Sequence, residues 1–384
     1  MNNTGLENAQ RSQEAARFIT FFLCGDVMTG RGIDQVLPHP ADPVLFEPYV
    51  KDARDYVRLA ERTNGSIPKP VSYSYIWGEA LDELKKVGPD LRIINLETSI
   101  TSSSDYWRGK GINYRMHPKN IPCITAAKID VCALANNHVL DWGYPGLIET
   151  VDTLKKANVR SVGAGSNREE AESPAVIEID GKGRAIVLAI GSETSGIPLN
   201  WAASENRPGV NLLENLPEDA VGYTERRVKR IKRKGDVAIA SIHWGGNWGY
   251  AIPSRQIDLA HNLIDRAGID LIHGHSSHHM KGIEVYRSKL ILYGCGDFLD
   301  DYEGISGYEA FRDDLGLMYF ATVDSLTGRL VRLRMTPTQV RNFRVNRAST
   351  TDALWLRDVL NREGGTLGTR VALDRENVLT LQWD

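Results

Sequence analysis

Short runs of β-branched and aliphatic residues alternate along the chain with longer stretches whose apolar positions recur at helical spacing, the sequence form of an α/β sheet. The runs FITFFLC, LRIIN, VCALA, AIVLAIG, VAIASI, IDLIH and LILYG predict strands. Between them, GYPGLIETVDTLKKA and SRQIDLAHNLIDRAG predict helices, the second opening on a serine cap and closing at glycine. Toward the end, GLMYFATVDSLTGRLVRLRM predicts two strands joined by a turn through Ser325 to Gly328, followed by a helix over TDALWLRDVLNRE and a last strand over NVLTLQW. The stretch 39–79, rich in proline and tyrosine, predicts a long inserted loop over one face, and loops of that length are often functional. No repeat or linker-like stretch divides the chain, so residues 17–384 are expected to form one domain behind a loose polar tail over 1–16.

Composition changes this picture little. The chain has 384 residues, 42% hydrophobic and 25% charged, ample material for a core. A formal net charge of −3 argues against a nucleic-acid partner held by phosphate contacts. One basic run, RRVKRIKRK from Arg226 to Lys234, reads as a solvated helix face with Val228 and Ile231 turned inward. The four cysteines, Cys24, Cys123, Cys132 and Cys295, show no paired spacing, which favours free thiols in a reducing compartment. The first residues lack the pattern of a secretory signal, and no apolar run approaches the roughly 20 residues of a membrane-spanning helix. A protein without a membrane span, in the cytoplasm, is expected.

The candidate chemistry emerges where the predicted strands end, because ligands in open α/β sheets bind beyond the strands' carboxyl ends. FITFFLC runs into Asp26, LRIIN into Glu97, and VCALA into Asn136, Asn137 and His138. VAIASI runs into His243 and Trp244, and IDLIH into the cluster that holds His275 and His278. Each has a bland explanation alone, as a turn residue or a satisfied surface histidine. Independent turns, however, have no reason to choose Asp, Glu, Asn and His together. A mixed carboxylate, amide and imidazole shell suits a divalent transition metal such as Mn²⁺, Zn²⁺ or Fe²⁺. Six donors suggest two ions, with Asp26 or Glu97 as the bridging carboxylate. His138, directly after a donor, stands where a general acid or base belongs.

In this order, Asp26, Glu97 after "IN", then NNH, HWG and GHSSH, the residues resemble the bacterial capsule-synthesis (poly-γ-glutamate synthesis, CapA/PgsA-like) protein family, a branch of the calcineurin-like metallophosphoesterases. The resemblance extends to NNHVLDWGYPGLIET, VGAGSN and LILYGCGDFLDDYE. It implies a four-layer α/β/β/α sandwich, with Asp26, Glu97, Asn137, His243, His275 and His278 as metal ligands and His138 as the catalytic histidine. There are departures. Met28 stands where the phosphoesterases carry histidine, Asp297 where the capsule family carries asparagine, and the GHSSH motif is one residue longer than Gly-His-x-His.

Three functions follow as expectations. The first is a metal-dependent hydrolase in which a metal-activated water attacks a phosphoester or a glutamyl-type amide, with His138 as general acid/base. The second is a metal-dependent peptide epimerase using the same site for α-proton transfer. The third is a non-catalytic subunit in poly-γ-glutamate or capsule polymer synthesis. The substrate is accordingly a peptide, a polyglutamate or a phosphoester, and Trp244, Asn136 and Tyr75 are assigned to contact it. Trp107 and Trp248 are further aromatic candidates along the cleft, while His273 and His279 are expected behind the ligands or at the surface. Oligomeric state leaves no signal.

Overall fold

The computed structural model describes residues 17–213 and 217–384, and the expected tail over 1–16 lies outside them. In chain order the principal elements are β1 (Phe18–Val27), α1 (Arg54–Asn64), α2 (Ala80–Val87), β2 (Leu91–Leu96), β3 (Val131–Ala133), α3 (Gly143–Lys156), β4 (Arg160–Val162) and β5 (Gly183–Ser192). They continue with α4 (Pro217–Ile231), β6 (Asp236–His243), α5 (Ser254–Asp265), β7 (Leu271–His275), β8 (Ile283–Tyr286), β9 (Lys289–Leu292) and β10 (Asp297–Leu299). The C-terminal part adds β11 (Leu315–Asp324), β12 (Arg329–Val340), β13 (Val345–Arg347), α6 (Thr350–Gly364), β14 (Thr369–Leu373) and β15 (Leu379–Trp383).

The strands form two large sheets. The first runs β14-β15-β12-β11-β1-β2-β3-β4, with β10 added beside β1 and β13 beside β12. The second runs β5-β6-β7-β9-β8, with Leu212–Leu213 and Ala175–Ile179 both pairing with β5. Side-chain alternation along β1 shows how layers arise. Ile19, Phe21 and Leu23 enter the core between the sheets, while Phe22 and Cys24 enter a second core under α1, α2 and α3. On the other sheet, Ala185, Val187 and Ala189 of β5 face inward, and Ile186, Leu188 and Ile190 pack beneath α4 and α5. Helix, sheet, sheet and helix therefore stack in four layers, the α/β/β/α sandwich that the resemblance implies. Helix α6 inserts Leu356 and Leu360 into the inter-sheet core.

The predicted strands and helices are present, and the structure adds elements to them, among them α2, β4, β8, β10 and β13. The 39–79 segment contains α1, whose buried stripe is limited to Tyr56, Val57 and Ala60. The helix over SRQIDLAHNLID is capped by Pro253 with no side-chain bond, so Ser254 is its first turn and not its cap; it ends at Asp265, ahead of Gly268. Strand β14 precedes the last strand and pairs with it. Along the basic stretch, Val228 is buried and Ile231 packs against the α4/α5 core. Arg227, Lys229 and Lys232 there pair with Glu172, Glu225 and Asp270. All four cysteines are buried free thiols. Among the described residues no helix is long and apolar enough to cross a membrane.

Candidate metal centre

Register brings the donors together. Parallel pairing of β1 with β10 sets Asp26 opposite Asp297, and pairing of β1 with β2 sets Asp26 opposite Asn95. In the second sheet, pairing of β6 with β7 sets His243 opposite His275 and Ser241 opposite His273. Asp26, His243 and His275 thus stand at the carboxyl ends of β1, β6 and β7, and Asp297 at the start of β10.

Two groups of donors converge there, Asp26 with His243 and His275, and Asp26 with His278 and Asp297. Within each, the donor atoms lie within 4.8 Å of one another, and all five residues are buried. Asp26 belongs to both groups, the position a bridging carboxylate requires. The nitrogens of His243 and His275 approach to 2.8 Å, and His275 Nδ1 lies 3.9 Å from Asp26 Oδ1. Ligands of one ion at about 2.0–2.2 Å stand roughly 3–4 Å apart, so these separations suit a shared cation. Glu97 and Asn137 complete the rim: His243 Nε2 lies 3.1 Å from Asn137 Oδ1 and 3.8 Å from Glu97 Oε1.

The electrostatics ask for positive charge. Burial, reinforced by Asp297, pushes the Asp26 carboxyl up to about 7. Glu97 and Asp297 are raised well above the ordinary range, again chiefly by burial. Burial holds His243 and His275 well below the usual imidazole value, in the neutral form that ligates metals. Three buried carboxyl groups stand beside neutral imidazoles, and a divalent metal, as one ion or a pair, fits this donor set.

The surrounding chain fixes the donors. Asn95 Nδ2 donates to Asp26 Oδ1 at 2.7 Å and to Glu97 Oε2 at 3.0 Å. Asn136 is a clamp: Nδ2 donates to Asn95 Oδ1 and the Leu96 carbonyl, and Oδ1 accepts the His138 amide at 3.1 Å. That last bond is an Asx turn, which explains why asparagine follows β3. Ser276 adopts φ 98°, a strained conformation for a side-chain-bearing residue, and its amide reaches Asp26 Oδ2 at 3.3 Å. His278 places Nδ1 against Asp297 at 2.9 Å and Nε2 against Asn247 Nδ2 at 3.0 Å.

His138 stands at the mouth, with Nε2 3.8 Å from Glu97 Oε1 and Nδ1 2.6 Å from Asp141 Oδ2. Lys110 Nζ bonds the other oxygen, Asp141 Oδ1, at 2.5 Å, and lies 2.8 Å from His138 Nδ1. A carboxylate is the stronger partner for an Nδ1–H, so Nε2 carries the lone pair toward a cavity of about 280 Å³ lined by Glu97, Asn137, His243 and His278. Burial pushes His138 down to about 4, although Asp141 pulls the other way.

The residues expected to contact substrate are engaged within the fold. Trp244 is buried in the α4/α5 core, its Nε1 donating to the Tyr293 carbonyl at 2.9 Å, so it presents no surface to a substrate. Tyr75 donates to the Asn342 carbonyl at 2.9 Å and packs on the core beneath α1–α3. Asn136 is fully buried and spent on the clamp. Of the tryptophans, Trp248 borders the centre, 5.3 Å from His278 and stacked on Tyr308. Trp107 contacts Trp201 and Tyr144, and its amide donates to the Asp141 carbonyl. His273, bonded to Ser241 and the Cys24 carbonyl, backs the ligands. His279 packs against Trp248, Tyr250 and Phe311. Sequence reasoning missed Lys110 and Asp141. Asp141 follows His138 by three residues, a spacing that could have marked it; Lys110 comes from a distant loop and carries no such signal.

The model of the family described as "Bacterial capsule synthesis protein PGA_cap" matches residues 20–302. A probable polyglutamine synthesis accessory protein of Mycobacterium tuberculosis is 49% identical over 362 residues, 94% of this chain and 95% of that protein. The PGA biosynthesis protein CapA of Bacillus subtilis is 26% identical over 77% of this chain and 66% of its own length. A solved structure described as a novel phosphatase from Mycoplasma pneumoniae aligns with 83% of this chain and 93% of its own at 11% identity, with a TM-score of 0.48.

Proposed function

The chain belongs to the bacterial capsule synthesis protein family, and from that premise we propose that it is a metal-dependent hydrolase acting on a phosphoester or a glutamyl-type amide, with His138 as its acid–base group. The observation that carries this reading is the pair of donor groups sharing Asp26, with the Lys110–Asp141–His138 chain ending in the same cavity. Asp26, Glu97, Asn137, His243, His275 and His278 would hold one or two ions, Mn²⁺, Zn²⁺ or Fe²⁺, and Asp297 joins them. A divalent ion held by these residues would supply Lewis-acid chemistry to the site. The protein's own part is proton handling. Neutral His138 accepts a proton at Nε2 as water attacks, and returns it to the departing oxygen or nitrogen. Asp141 stabilises the imidazolium in between, and Lys110, bonded to its other oxygen, keeps Asp141 aimed at Nδ1.

The epimerase reading fits less well, because it needs a second base across the substrate from His138. Lys110, 2.8 Å from His138 Nδ1, is already bonded to Asp141, and the histidines His243 and His278 in the same cavity are assigned to the metal. The non-catalytic reading draws on the accessory role in the name of the Mycobacterium relative.

The test begins with metal content per chain by mass spectrometry, for wild type and for His275→Ala/His278→Ala. One or two transition-metal ions in wild type, lost in the double variant, are expected. Mn²⁺-supported hydrolysis of bis-p-nitrophenyl phosphate or of γ-glutamyl p-nitroanilide should then fall about 10²–10⁴-fold in His138→Ala with metal retained. A wild type that stays metal-free after reconstitution with Mn²⁺ and Zn²⁺ would leave the accessory role in place of catalysis.

A further inference from the structure

Beside the metal centre a second cavity of about 340 Å³ opens, and Tyr302 lines both. Most of its charged groups are already engaged. Arg312 pairs with Asp314 and Asp352; Glu303 accepts the amides of Asn342 and Phe343; Glu309 accepts the Gly307 amide. Arg341 stands at the exposed rim.

Asp300 is different. It is 2% exposed, and its Oδ1 accepts the Tyr302 amide at 2.8 Å, while its buried Oδ2 has no hydrogen-bond partner among the described residues. Asp313 stands half-buried in the same wall. A buried carboxylate oxygen without a donor is strongly disfavoured, so this wall calls for a ligand that brings both a donor and positive charge. Among the described residues, the groups of three or more donors converge at Asp26, and neither includes Asp300 or Asp313. A volume of about 340 Å³ admits a cation of several heavy atoms.

We propose that this cavity binds a primary ammonium group through Asp300 and Asp313, and, resting on the glutamyl-amide reading above, that this group is the free amino end of the substrate chain. The same acids repel the chain's carboxylates, so only the amino end can enter. An end anchored there sets the first linkage beside His138, and cleavage proceeds from that end.

The test uses the full chain reconstituted with Mn²⁺ and two kinds of probe. Propylammonium, followed by ligand-observed NMR, addresses the cavity alone. Binding to wild type that weakens by about tenfold or more in Asp300→Asn, at unchanged melting temperature, is expected. Should Asp300→Asn fail to fold, Asp313→Asn at its half-buried position carries the same expectation. Absence of propylammonium binding, or binding indifferent to both substitutions, overturns the site. The second probes are tri-γ-glutamate with its amino end free or acetylated. Acetylation is expected to weaken binding by about tenfold, and the difference to vanish in the variant. If both peptides bind alike, the amino-end assignment is overturned while the hydrolase reading stands. If neither binds, the glutamyl reading falls and the amino-end assignment with it, and propylammonium still decides the cavity.

Discussion

Asp141 shows how one side chain decides the state of another. Its Oδ2 holds His138 Nδ1 at 2.6 Å, and its Oδ1 is bonded to Lys110. Asp141→Asn keeps the shape but removes the charge, and its amide can turn a donor toward Nδ1, selecting the wrong tautomer. The expected result is a fall in kcat of about 10–100-fold with metal content unchanged. Loss of the metal instead would mean that Asp141 supports the centre and not the proton transfer. Trp244 makes the opposite case. It fills the α4/α5 core, so Trp244→Ala should cost about 3–5 kcal/mol in denaturant unfolding and leave KM unchanged. A raised KM at full stability would restore it as a substrate contact. The sequence reading paired residue type with position after a strand, which suffices for Asp26, His243 and His275, whose side chains meet there. It could not separate Trp244 from Trp248, because two tryptophans four residues apart after one strand differ only in which way the turn sends them. Nor could it find Lys110, whose role depends on a loop folding back across the chain.

At the scale of elements, the centre depends on how closely strands approach. A Cβ on Gly25 would lie 1.8 Å from the Gly296 carbonyl oxygen, so only glycine lets β1 run beside the segment entering β10. That contact sets the Asp26–Asp297 register. Gly25→Ala is expected to destabilise the fold by about 1–3 kcal/mol or more and to lower metal occupancy, since Asp26 must move away from His278 and Asp297. Thermal melting together with metal analysis checks this, and unchanged occupancy in a folded variant would show that the strand pair tolerates the shift. Elements with long apolar runs were legible because burial on both faces leaves no other reading. The helix α1 was not, since its buried stripe is three residues in a charged, proline-flanked stretch. Strand β14 also escaped, being five residues that gain their meaning from pairing with β15.

At the scale of the whole molecule, the donors come from both halves of the sandwich. The first sheet and its following loop supply Asp26, Glu97 and Asp297, and the second supplies His243 and His275. Any cation shared between them ties the two sheets together at one end, where the carboxylates otherwise repel one another in a buried site. Since a preformed site of this kind does not exist in the unfolded chain, binding free energy appears as folding free energy. At free Mn²⁺ about 100-fold above its Kd, the gain should be about 2.7 kcal/mol relative to protein held in EDTA. The measurement is guanidinium unfolding of wild type and of His275→Ala/His278→Ala, each with Mn²⁺ and with EDTA. Wild type should show the gain and the double variant should show none. Equal gains in both would place the stabilising ion away from the sheet junction and remove the clamp from the account of this fold.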